Sequence, residues 1–226
     1  MARRPLVGLI CMSRDAGREL GAHLERRGYE IREAVEEWAA APLLADPGLD
    51  VVVMGEGLPP ASARDLLKRF GGGPSFILVC RPHDLVERVL ALELGAADVV
   101  ESPVNVRELA ARIGGLLARR GKPAPELVVF ENATVDLRAA LVMHRSGEEE
   151  QLSPGQIALL RLFLANPRKV LTRDDIIAAA PAESADAFDR SIDSRIVRLR
   201  RKLDTERIVT IRGAGYRFDP PAGVEA

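Results

Sequence analysis

Two stretches near the C-terminus decide the fold: Arg190-Ser191-Ile192-Asp193-Ser194-Arg195-Ile196-Val197-Arg198-Leu199-Arg200-Arg201-Lys202-Leu203 and, after a short break, Thr210-Ile211-Arg212-Gly213-Ala214-Gly215-Tyr216-Arg217-Phe218. In the first, Ile192, Ile196, Leu199 and Leu203 recur at spacings of four, three and four, which makes one apolar stripe along a helix. Arg190, Ser191, Ser194, Arg195, Arg198 and Arg201 take the rest of the circumference. A helix of this diameter fits the major groove of B-DNA, and arginine can donate two hydrogen bonds to guanine O6 and N7. The serines are small enough to permit close approach. In the second stretch a hairpin punctuated by Gly213 and Gly215 projects one cation, Arg212, from a tight turn, a shape suited to a minor groove. The stripe is too narrow and too poor in bulky residues for a membrane-surface helix.

Working outward, Leu127–Phe130, Ala133–Leu137 and Leu141–His144 read as short antiparallel strands. Ser153-Pro154-Gly155-Gln156 is a helix start: serine caps, proline suits the first turn, and glutamine completes a capping box. That helix runs to Leu164 and stops at Asn166-Pro167. Thr172 caps a second helix through Ala179, and a third runs from about Ala187 to Leu203. Strands, three helices and a terminal hairpin over Ile208–Phe218 predict an α+β winged helix-turn-helix domain over residues 127–220. Residues 120–126 read as a linker, because glycine and two prolines fall close together in Gly121-Lys122-Pro123-Ala124-Pro125.

Residues 1–119 alternate differently. Leu6–Met12, Glu30–Glu33, Val51–Met54, Phe76–Cys80 and Asp98–Val100 are strand candidates, several of them continuous apolar runs that suit strands buried on both faces. Ala16–Arg27, Glu36–Leu44, Leu85–Leu94 and Val106–Ala118 read as helices, with Gly28 ending the first. This alternation predicts an α/β doubly wound, five-stranded parallel sheet.

Composition bounds the function. Of 226 residues, 47% are hydrophobic and 29% charged, enough apolar material for real cores. No apolar run reaches membrane-spanning length, and Arg3-Arg4 before Pro5–Met12 lacks a cleavage site, so a buried first strand is expected rather than a signal peptide. Two cysteines, Cys11 and Cys80, read as small buried thiols in a reducing cytoplasm. The net charge of -1 hides a local excess: residues 190–217 hold nine basic against three acidic side chains. A charge run alone is usually a solvated face; beside a recognition-type helix and a wing it is the footprint of a polyanion-binding surface. His23, His83 and His144 fall on unrelated elements and no nucleophile has a base beside it, so neither an enzyme nor a cofactor or metal site is expected.

Leu152-Ser153-Pro154, Val170-Leu171-Thr172-Arg173, the Arg190–Leu203 helix and above all the Thr210–Phe218 string resemble the OmpR/PhoB response regulators. Leu92-Glu93-Leu94-Gly95-Ala96-Ala97-Asp98 is similar to the same family's receiver domain, of CheY/flavodoxin-like fold. The resemblance implies a cytoplasmic transcription factor that binds tandem half-sites on double-stranded DNA, with RNA polymerase as a further partner. It also implies a tryptophan after the second helix, where this chain has Pro181.

A working receiver of that family needs an acidic pair for Mg²⁺, an aspartate nucleophile, a hydroxyl and a lysine. By position these fall on Met12 and Ser13, Gly55, Cys80 and Ser102, and the switch aromatic on Val99. Without carboxylates there is no oxygen cage for a cation, and glycine offers nothing to phosphorylate. Glu56 is one residue off, but strand alternation turns it to the other face. Asp15 and Asp50 read as surface residues at element ends. In the family a symmetric dimer forms through the fourth helix, fifth strand and fifth helix. The resemblance pairs Arg88 with Glu108 and Asp98 with Arg112 across the two-fold, loses a third pair at Ala97 and Arg119, and centres the face on Leu92 and Ala110. The leading expectation is therefore a DNA-binding regulator independent of aspartyl phosphorylation, dimeric through this domain. Two others stand beside it: a regulator whose vacated pocket senses a small-molecule ligand, and an adaptor that docks on polymerase or a signalling partner without DNA.

Overall fold

A computed structural model describes residues 3–122, 126–179 and 191–220, in two compact units that divide after residue 124. Pro181 and Arg190, as well as the predicted start of the third helix at Ala187, lie outside the described residues.

The first unit carries β1 (Leu6–Ile10), α1 (Arg14–Arg26), β2 (Glu30–Ala34), α2 (Ala40–Leu44), β3 (Leu49–Met54), α3 (Pro60–Phe70), β4 (Ser75–Cys80), α4 (Leu85–Glu93), β5 (Asp98–Glu101) and α5 (Val106–Arg119). Its sheet has the order β2-β1-β3-β4-β5 and every pairing is parallel. Successive strand residues alternate between two cores, as the pleat requires. Leu6, Ile10, Val52, Met54, Phe76 and Leu78 pack on one face. Val7, Leu9, Val51, Val53, Ile77 and Val79 pack on the other, against α1 and α5. This is the doubly wound sheet expected from the alternating pattern.

This half departs from the expected pattern at four places. The helix α3 has little signature in the sequence, because Pro59-Pro60 reads as a breaker and only Ala63 and Leu67 of its residues are buried. Proline is nonetheless admissible in a first turn. The single helix expected over Glu36–Leu44 is a 3₁₀ turn at Glu37–Ala39 followed by α2; Pro42 can sit only near a helix start, so a fresh start at Ala40 accommodates it. Asp50 is not a surface residue. It is 5% exposed, accepts the Leu6 N–H at 2.9 Å and pairs with the Lys122 ammonium at 3.0 Å. Arg120 likewise donates to the Gly73 carbonyl at 2.9 Å, so residues 120–122 are fastened to the first unit rather than to a free linker.

The second unit opens with an antiparallel meander, β6 (Leu127–Val129), β7 (Ala133–Asp136), β8 (Leu141–His144) and β9 (Glu149–Gln151). Helices α6 (Pro154–Ala165), α7 (Arg173–Ala179) and α8 (Ile192–Leu203) follow. A second sheet, in the order β10-β12-β11, joins β10 (Val170–Leu171) to the hairpin of β11 (Ile208–Ile211) and β12 (Gly215–Phe218). The capping box at α6 is present: the Ser153 hydroxyl accepts the Gln156 N–H and the Gln156 side chain accepts the Ser153 N–H. Thr172 and Asp175 form the equivalent reciprocal pair at α7. The short strands β9 and β10 were not expected; runs of three and two residues leave no period to read. One apolar core unites the unit, with Phe163, Leu159, Ile176, Ile196, Leu199 and Phe218 at its centre.

Candidate nucleic-acid interface

Helix α8 presents its predicted stripe inward: Ile192, Ile196, Leu199 and Leu203 are at most 5% exposed. Ser191, Arg198 and Arg201 are exposed, and Ser194 and Arg195 are half-buried. Val197 shares the outer surface and is exposed, an apolar group of the kind that meets a thymine methyl. Asp204, in the left-handed region at φ 45°, ends the helix.

The hairpin of β11 and β12 pairs Ile211 with Gly215, and the Ala214 N–H closes the turn on the Ile211 carbonyl at 3.0 Å. Gly213 and Gly215 sit at φ 75° and 147°. Gly215 is needed for space as well as conformation: a Cβ there would overlap the Leu171 carbonyl and lie 3.1 Å from the Thr172 Cα. Arg212 projects exposed from the tip. Two cationic elements, helix and wing, thus rise from one small core.

A polar cluster joins them. The Arg173 guanidinium of α7 donates to both oxygens of Asp193, at 3.1 Å from Nε and 3.0 and 3.2 Å from Nη2. The Tyr216 hydroxyl of β12 donates to Asp193 Oδ1 at 2.5 Å. Arg200 of α8 donates to the Ile208 carbonyl at 2.6 Å and the Thr210 hydroxyl at 2.9 Å. Arg173 and Arg200 both stand over the Tyr216 ring, at 5.5 and 5.9 Å from its centroid. The Tyr216 bond, and then the Arg173 pair, hold the Asp193 carboxyl below the usual range; burial and the Asp193 bond push the Tyr216 phenol up. Arg173, Asp193, Arg200, Thr210 and Tyr216 carry no expected role in the sequence alone. One signal was available: Asp193 is the single acidic residue between 190 and 203.

Residues 147–218 match the family described as transcriptional regulatory protein, C terminal. The regulatory protein VirG of Agrobacterium tumefaciens (strain 15955) is 32% identical over 213 residues, which cover 87% of this chain and 78% of VirG. The response regulator protein PmrA of Pseudomonas aeruginosa PAO1 is 34% identical over 209 residues, 87% of this chain and 92% of PmrA. The chain belongs to the OmpR/PhoB family of response regulators. Among solved structures, DrrB, a Thermotoga maritima OmpR/PhoB homolog, covers 96% of this chain and 100% of its own at 21% identity and a TM-score of 0.43. As a response regulator of this family the chain is a DNA-binding transcriptional regulator and not an enzyme. Among the described residues no helix is long and apolar enough to cross a membrane.

In this response regulator the five positions that the resemblance matches to a phosphorylation site lie at the C-terminal ends of the parallel strands, where open α/β sheets bind ligands. Ser13 stands at the N-cap of α1, half-buried Met12 precedes it, and Gly55 and Cys80 are buried at the ends of β3 and β4. The Ser102 N–H donates to the Cys80 carbonyl at 2.9 Å, and the Ser102–Pro103 peptide is cis. Gly55 is overlaid by backbone: its N–H bonds to the Ile10 carbonyl at 2.7 Å, and a Cβ would overlap the Cys11 carbonyl and lie 2.6 Å from the Met12 Cα. Glu56 points to solvent. Burial pushes both thiols up, Cys80 further through Glu87 and Asp84 and Cys11 through Glu37 and Glu36, so neither is a ready thiolate. Gly55 and Cys80 border a cavity of 180 Å³ on the α3–α4 side. Met12 and Ser13 border a separate groove of 530 Å³ beside α1 and β2.

On the α4–β5–α5 face the charged residues pair within the protomer. Arg88 meets Glu101 at 2.6 Å, and Arg112 meets both Asp98 and Glu108 at 2.7 Å. Leu92 is half exposed, with Leu85, Val86 and Val89 exposed beside it on α4. Ala110 is fully buried in the core under α5, so the exposed apolar centre of this face lies on α4, not at Ala110. Matching by position identifies a helix; it does not say which of its sides a small residue faces.

Proposed function

We propose that this response regulator binds tandem DNA half-sites as a dimer without aspartyl phosphorylation, in the cytoplasm and together with RNA polymerase. The observation that carries the reading is Gly55. The nucleophile is missing, and the room its side chain would need is filled by the backbone of the β1–α1 loop. Glycine cannot accept a phosphoryl group, so activation through that position has no chemistry to use. Arg190, Ser191, Ser194, Arg195, Arg198 and Arg201 are assigned to the major groove, and Arg212 to the minor groove.

Dimerisation is assigned to the α4–β5–α5 face. The exposed α4 stripe supplies apolar area, and the ion pairs at Arg88 and Arg112 exchange partners across a two-fold, Arg88 with Glu108 and Asp98 with Arg112. Exposed pairs contribute up to about 1 kcal/mol each and specify geometry more than strength. Sedimentation of the unphosphorylated protein tests this. Arg112→Glu weakens self-association by on the order of tenfold, since the pair occurs twice, and adding Asp98→Arg restores it. A double variant that stays weak rejects that pairing. A second reading makes the first unit a small-molecule sensor; the hollow beside Gly55 and Cys80 favours it.

A further inference from the structure

We infer that Asp193 is a positioning residue for DNA recognition: through Tyr216 and Arg173 it sets the wing against helix α8, so that both engage one half-site in a single register. This rests on the DNA-binding reading above. Recognition by helix and wing requires Arg212 to reach one groove while the α8 arginines occupy another. A short connection, residues 204–207, links the two elements along the chain. Arg200 ties the lower part of α8 to β11 through Ile208 and Thr210. At the other end of α8, Asp193 ties its first turn to β12 through Tyr216, which lies opposite Thr210 in the hairpin register. The same carboxylate holds Arg173, so α7 joins the arrangement.

The electrostatics argue that Asp193 is there for geometry. An acid on the face of a polyanion-binding helix opposes association with phosphates. Its side chain is 59% exposed and that of Arg173 50%, and pairs this open contribute little to folding. Tyr216, by contrast, is 3% exposed, with two guanidiniums over its ring. The arrangement fixes an orientation rather than adding stability.

The test measures affinity of the full-length protein for a duplex recovered by genomic selection and for a scrambled duplex, across a salt series. Tyr216→Phe keeps the ring and removes only the hydroxyl donor. It is expected to lower affinity for the selected duplex about tenfold, the worth of a charge-assisted hydrogen bond, and to leave the scrambled duplex and the salt slope unchanged. Asp193→Asn shows the same loss on the selected duplex, while the scrambled duplex binds no worse. The double variant loses no more than the larger single loss, because both remove one interaction. Equal losses on both duplexes, no loss, or additive losses overturn the assignment. Wild-type protein that does not discriminate between the duplexes overturns the DNA-binding reading and this one with it.

Discussion

Gly215→Ala is expected to dismantle the wing. Its backbone stands at φ 147°, where a side chain is strained, and an added Cβ would run into the Leu171 carbonyl and the Thr172 Cα. These are backbone atoms of β10 and the start of α7, so no side-chain rotation relieves the clash. Strain of about 1–3 kcal/mol and overpacking of similar size together give a loss of roughly 2–6 kcal/mol in unfolding free energy. The hairpin that carries Arg212 would separate from β10, and affinity for a half-site would fall to the non-specific level. Gly213→Ala is the matched control. It shares a positive φ, 75°, yet has no atom within 4 Å of an added Cβ, so it costs about 1–2 kcal/mol of backbone strain alone. Chemical denaturation of both variants checks the difference. Equal destabilisation would reject the role of the β10 contact.

Gly55→Asp supplies the carboxylate that phosphorylation chemistry lacks, and it is expected to fail as a repair. The Cys11 carbonyl and Met12 backbone occupy the Cβ position, so the β1–α1 loop must move before the side chain fits. Moving it breaks the Gly57 N–H bond to the Cys11 carbonyl, now 3.1 Å. The expected loss is about 2–4 kcal/mol. Incubation with acetyl phosphate leaves the variant unmodified, because Met12 and Ser102 offer neither a metal ligand nor a cation for the phosphoryl group. A stable variant that takes up phosphate would contradict this description of the site.

What was legible in advance was whatever repeats along the chain. The α8 stripe, the alternating cores of β1, β3 and β4, and the capping box at Ser153 all follow from local spacing, and all three appear where expected. Features set by contacts between distant residues were not legible. Asp50 looked like a surface residue because its partners, the Leu6 N–H and Lys122, are 44 and 72 residues away. Asp193 meets Tyr216 and Arg173 from helices and strands that no period connects. The helix α3 was hidden for a simpler reason: two buried residues and two leading prolines make a weak pattern. At Gly55 the family resemblance marks the nucleophile position, whereas the crowding of that position by Cys11 and Met12 is visible only in the packing.

DNA binding by this regulator is expected to need no phosphorylation. Selection of genomic fragments by the purified, unphosphorylated full-length protein, followed by sequencing, tests it most directly. The expected result is a tandem repeat with half-sites about one helical turn, roughly 10–11 base pairs, apart, enriched equally with and without acetyl phosphate. Enrichment that appears only after treatment with the phosphodonor would contradict it.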